Sequence, residues 1–178
     1  KQIKKNPNKF SHKCQNKTMA MIFEKESTRT RVSFTVGFQK LGGSVIELNN
    51  QSIGFGKRET AQDILKTLSQ YVNLLVIRNN NHKLLRELAT LNLLPIINGL
   101  TNYSHPCQIL SDMLTINENI GNIKNKQITW IGDYNNVLRS LLELQILYKF
   151  KLNIVLPKEI LKQNITKEIK KNYKNVIF

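Results

Sequence analysis

The sequence predicts an α/β protein of two domains, each a parallel sheet flanked by helices, with the second domain truncated. Three observations predict this. Short apolar runs of strand length alternate with segments of helical periodicity. Gly121-Asn122 breaks that alternation once, dividing it into two series. The second series is still alternating at Phe178. We expect a first domain over residues 1–120 and the opening of a second over 121–178. The start at Lys1, within what reads as the end of a polar helix or loop, adds to the expectation of a partial chain.

The elements follow in order. Met19 to Phe23, Ser44 to Leu48, Leu74 to Ile77 and Leu94 to Ile97 read as four buried strands. Between them, Thr30 to Leu41, Thr60 to Ser69 and His82 to Leu91 read as helices, the last with Leu84, Leu85, Leu88 and Leu91 on one face. A further helix runs from Ile109 to about Ile120, carrying Ile109, Leu110, Met113, Leu114 and Asn117. The second series has strands at Ile128 to Ile131, Asn153 to Leu156 and Val176 to Phe178. Its helices are Val137 to Phe150 and a lysine-rich Ile160 to Lys171.

Composition narrows the class. The chain has 178 residues, 40% of them hydrophobic and 22% charged, which suits a globular protein with its own core and excludes disordered and collagen-like classes. No apolar run approaches the ~20 residues that cross a bilayer. Cys14 and Cys107 are too few for a disulfide framework and lack zinc-site spacing, so a reduced, cytoplasmic compartment is expected. The net charge of +15 invites a nucleic-acid partner. Its distribution argues otherwise: residues 1–25 carry +6, residues 26–148 only +3, and residues 149–178 again +6. The basic ends are also rich in Asn and Ile, a composition typical of AT-rich coding, and no aromatic stacking platform accompanies them.

The densest chemical signal is the run Phe23-Glu24-Lys25-Glu26-Ser27-Thr28-Arg29-Thr30-Arg31, lying after the first strand and entering a helix. Hydroxyls, guanidinium groups and the free N–H groups of a helix start suit a phosphate dianion. Each charge-assisted bond there is worth about 1.5–3 kcal/mol. The alternative is an ordinary Ser/Thr cap followed by solvated arginines. A second loop, Gly99 to Gln108, again joins a strand to a helix and offers His105 and Gln108 as polar groups. Arg78 ends the third strand at the same sheet edge, where α/β proteins place ligands. Gly54 to Thr60 lacks the spacing of a P-loop, and Trp130 to Val137 has one glycine rather than a dinucleotide fingerprint, so neither reads as a nucleotide site. Asn135 and Asn136 either shape a turn or offer an amide to a polar substrate.

Three motifs taken together resemble the aspartate/ornithine carbamoyltransferase family, on its ornithine branch. They are Met21-Ile-Phe-Glu-Lys-x-Ser-Thr-Arg-Thr-Arg-x-Ser-Phe34; Asn98-Gly-Leu-Thr101 with His105-Pro-Cys-Gln-Ile-Leu-x-Asp112; and Trp130-Ile-Gly-Asp-x-Asn-Asn136. The resemblance spans Thr18 to Pro157. The aspartate branch usually has Pro where Lys25-Glu26 stand and lacks the paired Asn; it is the runner-up, with putrescine- and acetylornithine-type relatives behind it. An inactive truncated remnant and a basic nucleic-acid-binding protein are the alternatives from other classes.

The resemblance implies transfer of a carbamoyl group from carbamoyl phosphate to the δ-amine of L-ornithine, giving L-citrulline and phosphate, without metal or organic cofactor. It implies that Ser27, Thr28, Arg29 and Thr30 bind the phosphate, and that Arg78 and His105, with Thr30, hold the carbamoyl oxygen. Gln108 would accept from the carbamoyl NH2, Asn136 would contact the amino-acid end of ornithine, and Gln51 would serve a neighbouring subunit's site. The family works as a homotrimer, so a monomer is expected to be inactive. Thr35 and Arg139 depart from the Glu and His the family often has there. The family's Asp-x-Trp-x-Ser-Met-Gly and His-Cys-Leu-Pro motifs do not occur in these 178 residues.

Overall fold

Strand β1 (Thr18–Phe23) lies between β2 (Ser44–Asn49) and β3 (Leu74–Arg78), and β4 (Ile96–Leu100) completes a parallel sheet of order β2-β1-β3-β4. The structure is a computed structural model, describing residues 2–24, 27–49, 59–124, 126–161, 165–173 and 176–178. The chain folds as two compact units, Lys1–Thr101 and Asn102–Phe178.

The helices of the first unit are α1 (Gln2–Lys5), a 3-10 turn at Pro7–Phe10, α2 (Thr28–Lys40), α3 (Ala61–Ser69) and α4 (His82–Thr90). Side-chain parity along the strands divides its core in two. Ala20, Ile22, Leu75 and Ile77 face α3 and α4, meeting Ala61, Ile64, Leu65, Leu85 and Leu88. Met19, Met21, Phe23 and Val76 face the other way, where Phe34 and Phe38 of α2 cover them. Helices on both faces make this a doubly wound sheet. The strand order reverses between β1 and β3, which puts the topological switch point at the ends of those two strands.

The central strands β1 and β3 are buried, as expected. The edge strand β2 is not: each of its residues is exposed or half-buried, and Ile46 is 44% exposed. The apolar run predicts a buried strand, but edge position leaves β2 with one strand neighbour and less cover. Strand β4 starts at Ile96, two residues later than the apolar run suggests. Leu91 is exposed because α4 has ended before it.

The second unit holds α5 (Pro106–Asn119), β5 (Gln127–Ile131), α6 (Asn136–Tyr148), β6 (Lys151–Val155), α7 (Lys158–Leu161), α8 (Ile165–Asn172) and β7 (Val176–Ile177). Its parallel sheet has the order β5-β6-β7. The single helix expected over Ile160 to Lys171 corresponds to α7 and α8, with residues 162–164 outside the described residues. Its core gathers Ile109 of α5, Leu138, Leu141, Leu142 and Leu144 of α6, Leu152 and Ile154 of β6, Phe150 and Ile169. Met113 and Ile116 pack against it, so the buried stripe of α5 runs 109, 113, 116, and Leu110 and Leu114 are exposed rather than core. Both strand-to-strand crossovers run in one direction, which places their helices on one sheet face. On the opposite parity Ile131, Val155 and Ile177 are exposed.

Candidate active site

The site is built where the first sheet's winding changes direction. Phe23 and Arg78 are register partners at the carboxyl ends of β1 and β3. The chain leaving β1 is tied at once to β3: the Glu24 N–H donates to the Arg78 carbonyl at 2.8 Å, and the Glu24 carboxylate accepts from the Asn80 N–H at 2.9 Å. On the other side, the Asn79 N–H donates to Leu100 O at 3.1 Å. Arg78 thus rises from a strand end braced by both neighbours.

Its side chain crosses to the start of α2. Arg78 Nη1 donates to Ser27 Oγ at 3.0 Å and to Thr30 Oγ1 at 3.3 Å. Ser27 is the N-cap residue of α2 but makes no side-chain cap bond, so the ordinary capping explanation for Ser27 does not hold. A hydroxyl has one proton to donate and two lone pairs. With one lone pair taken by Arg78, each hydroxyl keeps its proton for an external acceptor. The first-turn N–H groups of Thr28, Arg29 and Thr30 have no intrahelical acceptor, and no acidic residue stands among them. Arg78 Nε is buried and has no hydrogen-bond partner among the described residues. A buried donor of that kind marks a place where an acceptor belongs.

The two arginines of the motif have different fates. Arg29 is exposed on the first turn of α2. Arg31 pairs with Glu47 of β2 and lies over the Phe23 ring at 5.7 Å, so it fastens α2 to the sheet rather than converging on the hydroxyls. Gln51, and the basic Gly54 to Arg58 stretch, lie outside the described residues. At the end of β4, Thr101 is fully buried and its hydroxyl is hydrogen-bonded to His82 Nδ1 at 2.9 Å.

The remaining expected site residues belong to the second unit and are described there. His105 precedes Pro106, the first residue of α5. Its backbone N–H donates to the buried Ser140 hydroxyl of α6 at 2.8 Å. Gln108, in the first turn of α5, donates from Nε2 to Asp112 Oδ1 at 2.8 Å. Cys107 is half-buried, and that burial pushes its thiol pKa up, away from the thiolate a nucleophile needs. At the β5 turn, Gly132 holds φ +145, outside the range that suits other residues. Asn135 caps α6, its Oδ1 accepting from Val137 N at 3.0 Å and Leu138 N at 3.2 Å, and Asn136 is the first residue of that helix. Arg139 lies between the rings of Tyr103 and Tyr134, at 4.9 and 4.8 Å.

Ser140 carries no signal in the sequence, and Arg139 shows there only as a departure from the family's usual His. Glu24 is visible only as part of a motif, and Ser140 looks like an ordinary helix residue. Among the described residues no group of three or more His, Cys, Asp and Glu side chains is placed to hold a metal ion. No helix among them is long and apolar enough to cross a membrane.

The chain is similar to known proteins along most of its length. The family model described as aspartate/ornithine carbamoyltransferase, carbamoyl-P binding domain, matches residues 1–118, and that described as the Asp/Orn binding domain matches residues 124–176. An ornithine carbamoyltransferase of Brucella ovis is 49% identical over 142 residues, covering 80% of this chain and 46% of the relative; one of Rhizobium meliloti is 48% identical over 141 residues. The chain therefore spans about half the length of these relatives. The crystal structure of the Burkholderia thailandensis ornithine carbamoyltransferase superposes with a TM-score of 0.86 at 34% identity, covering 99% of this chain and 61% of that one. That of Thermus thermophilus gives 0.87 at 32%, covering 99% and 60%. The chain belongs to the aspartate/ornithine carbamoyltransferase family.

Proposed function

We propose that this chain carries the carbamoyl-phosphate-binding domain, over residues 1–120, and the start of the ornithine-binding domain, over 121–178, of an ornithine carbamoyltransferase. The observation that carries the reading is Arg78: one guanidinium nitrogen shared by the Ser27 and Thr30 hydroxyls, and a buried Nε–H with no acceptor among the described residues. The relatives' shared name supports ornithine as the acceptor.

In this reading the phosphate oxygens accept from the Ser27 and Thr30 hydroxyls and from the first-turn N–H groups of Thr28, Arg29 and Thr30. The positive end of the helix dipole favours the same charge. The neutral δ-amine of ornithine attacks the carbamoyl carbon. A C–N bond forms, the C–O bond to phosphate breaks with its electron pair leaving on phosphate, and the departing phosphate takes up the amine's proton. Negative charge builds on the carbamoyl oxygen, where Arg78, with Thr30 and His105, stabilises it. Donors fixed in place before the reaction lower the barrier most, and losing one typically costs about 3–4 kcal/mol. Gln108 accepts from the carbamoyl NH2, and Asn136 meets the amino-acid end of ornithine. The reading includes a homotrimer, with Gln51 serving a neighbouring subunit, and no metal or organic cofactor. The reading also places the protein in the cytoplasm, in keeping with its having only two cysteines, without the spacing of a disulfide framework or zinc site.

Two measurements test it. Carbamoyl phosphate should raise the thermal midpoint of the 178-residue chain in a concentration-dependent way, beyond the effect of equal sulfate; no shift overturns the binding assignment. In a protein of the relatives' full length, ornithine, aspartate, putrescine and acetylornithine are each offered with carbamoyl phosphate. Citrulline from ornithine is expected, and carbamoylaspartate instead would replace the ornithine assignment with the aspartate one.

A further inference from the structure

Gln108 and Asp112 stand one turn apart on α5, and their hydrogen bond has a direction. A carboxylate can only accept, so it engages the NH2 side of the Gln108 amide, Nε2 to Oδ1 at 2.8 Å. The amide is planar, which turns Oε1 to the opposite side. The neighbouring hydroxyls are otherwise engaged: Ser111 donates to Cys107 O at 2.9 Å and Thr115 to Ser111 O at 2.9 Å. Gln108 is therefore presented as an acceptor. Left to itself, a glutamine amide can turn over and present donor or acceptor with equal ease.

We propose that Asp112 is a positioning residue that fixes the sense of the Gln108 amide, so that the site takes an acyl phosphate ending in a planar NH2 and disfavours its methyl isostere. The inference rests on the reading of Gln108 as the partner of the carbamoyl group. Carbamoyl phosphate and acetyl phosphate have the same phosphate, the same carbonyl and nearly the same shape. They differ in one group, NH2 against CH3. An oriented Oε1 gains a hydrogen bond from the first and is left without one by the second. Discrimination built on a hydrogen-bonding group that the wrong ligand leaves unpaired is stronger than discrimination by size. A bland alternative is that the pair only steadies the helix, as Gln and Asp four residues apart do in general.

The test compares calorimetric titrations of the 178-residue chain with carbamoyl phosphate and with acetyl phosphate. The parent should prefer carbamoyl phosphate by about tenfold, the upper range for one hydrogen bond to a neutral group. In Asp112→Asn, which keeps the shape but lets the amide turn over, the preference should fall to within about threefold, most of that one bond being lost. Gln108→Leu should abolish it, and adding Asp112→Asn to Gln108→Leu should change nothing further, because Asp112 acts through Gln108. Equal weakening of both ligands by Asp112→Asn assigns the pair to helix stability and overturns the proposal. A parent that binds carbamoyl phosphate and keeps its preference in Asp112→Asn overturns the proposal while leaving the binding assignment intact. A parent that binds neither ligand removes both.

Discussion

The Ser140 hydroxyl accepts a hydrogen bond from the backbone N–H of His105 at 2.8 Å. It fastens the residue that opens α5 to the second turn of α6, joining residues 35 apart in the chain. Ser140 is only 3% exposed, so water has little access to replace it. Ser140→Ala should destabilise the chain by about 1–3 kcal/mol, the cost of leaving a buried donor without its acceptor. Ser140→Thr, which keeps the hydroxyl, should lose less. Urea unfolding followed by circular dichroism measures both, and an unchanged midpoint for Ser140→Ala would remove this bond from the account of how His105 is held.

That bond also marks where reading the sequence stops. Strands β1 and β3 were legible because a central parallel strand is apolar on both faces, and Ala20, Met21 and Val76 carry that imprint. The exposure of β2 was not, since Val45, Ile46 and Leu48 would read the same at the centre or the edge, and strand order is not a local property. Ser27, Thr30 and Arg78 were found through their place at strand ends. Their hydrogen bonds cross about 50 residues of chain, and nothing in either segment alone encodes the partner. Arg31 turns to Glu47 while Arg29 stays exposed, for a simple reason. Residues two apart on a helix point roughly 200° apart, so one cannot face Ser27 and Thr30 when the other does.

Thr60 caps α3 by a reciprocal arrangement with Asp63: the Asp63 N–H donates to Thr60 Oγ1 at 3.2 Å, and the hydroxyl donates to Asp63 Oδ2 at 2.6 Å. The Thr60 hydroxyl first, and Lys66 second, hold the Asp63 carboxyl below its ordinary pKa. A carboxyl lowered by folding adds stability above its unfolded pKa, and that contribution is lost as pH falls through the folded value. Thr60→Ala should cost about 1 kcal/mol for the lost cap. The cost should shrink on acidification to about pH 3, where the ordinary carboxylate is largely protonated. Urea midpoints of parent and variant at neutral and acid pH check both; a difference that does not depend on pH would separate the cap from the carboxylate.

Burial raises the Cys107 thiol pKa, outweighing its backbone hydrogen bond. The thiol is therefore protonated at pH values where a free cysteine has begun to ionise, and alkylation, which needs the thiolate, should be slow. At about pH 8.5, the ordinary thiol value, iodoacetamide should modify Cys107 several-fold more slowly than a cysteine in a short peptide. The inflection of its pH–rate profile should lie higher. Its contribution to stability is present below the ordinary thiol pKa and fades as pH rises through the raised one. A fast reaction at neutral pH would show that Cys107 reaches solvent readily.

Arg78 presents three features at once: an Nη1 shared by two hydroxyls, a buried Nε–H with no acceptor among the described residues, and a fixed positive charge. Lysine supplies the charge but has neither the planar fork nor a second nitrogen. Arg78→Lys should therefore weaken carbamoyl-phosphate binding by at least about tenfold, and Arg78→Met by more, since each hydrogen bond to a charged group is worth roughly 1.5–3 kcal/mol. Because Ser27 and Thr30 would lose their partner too, inorganic phosphate should bind more weakly to both variants. Calorimetric titration with the two ligands reads the effect directly. If Arg78→Lys binds carbamoyl phosphate as the parent does, charge alone is sufficient at this position, and the paired hydroxyls serve to pack the start of α2 rather than to hold Arg78 for a ligand.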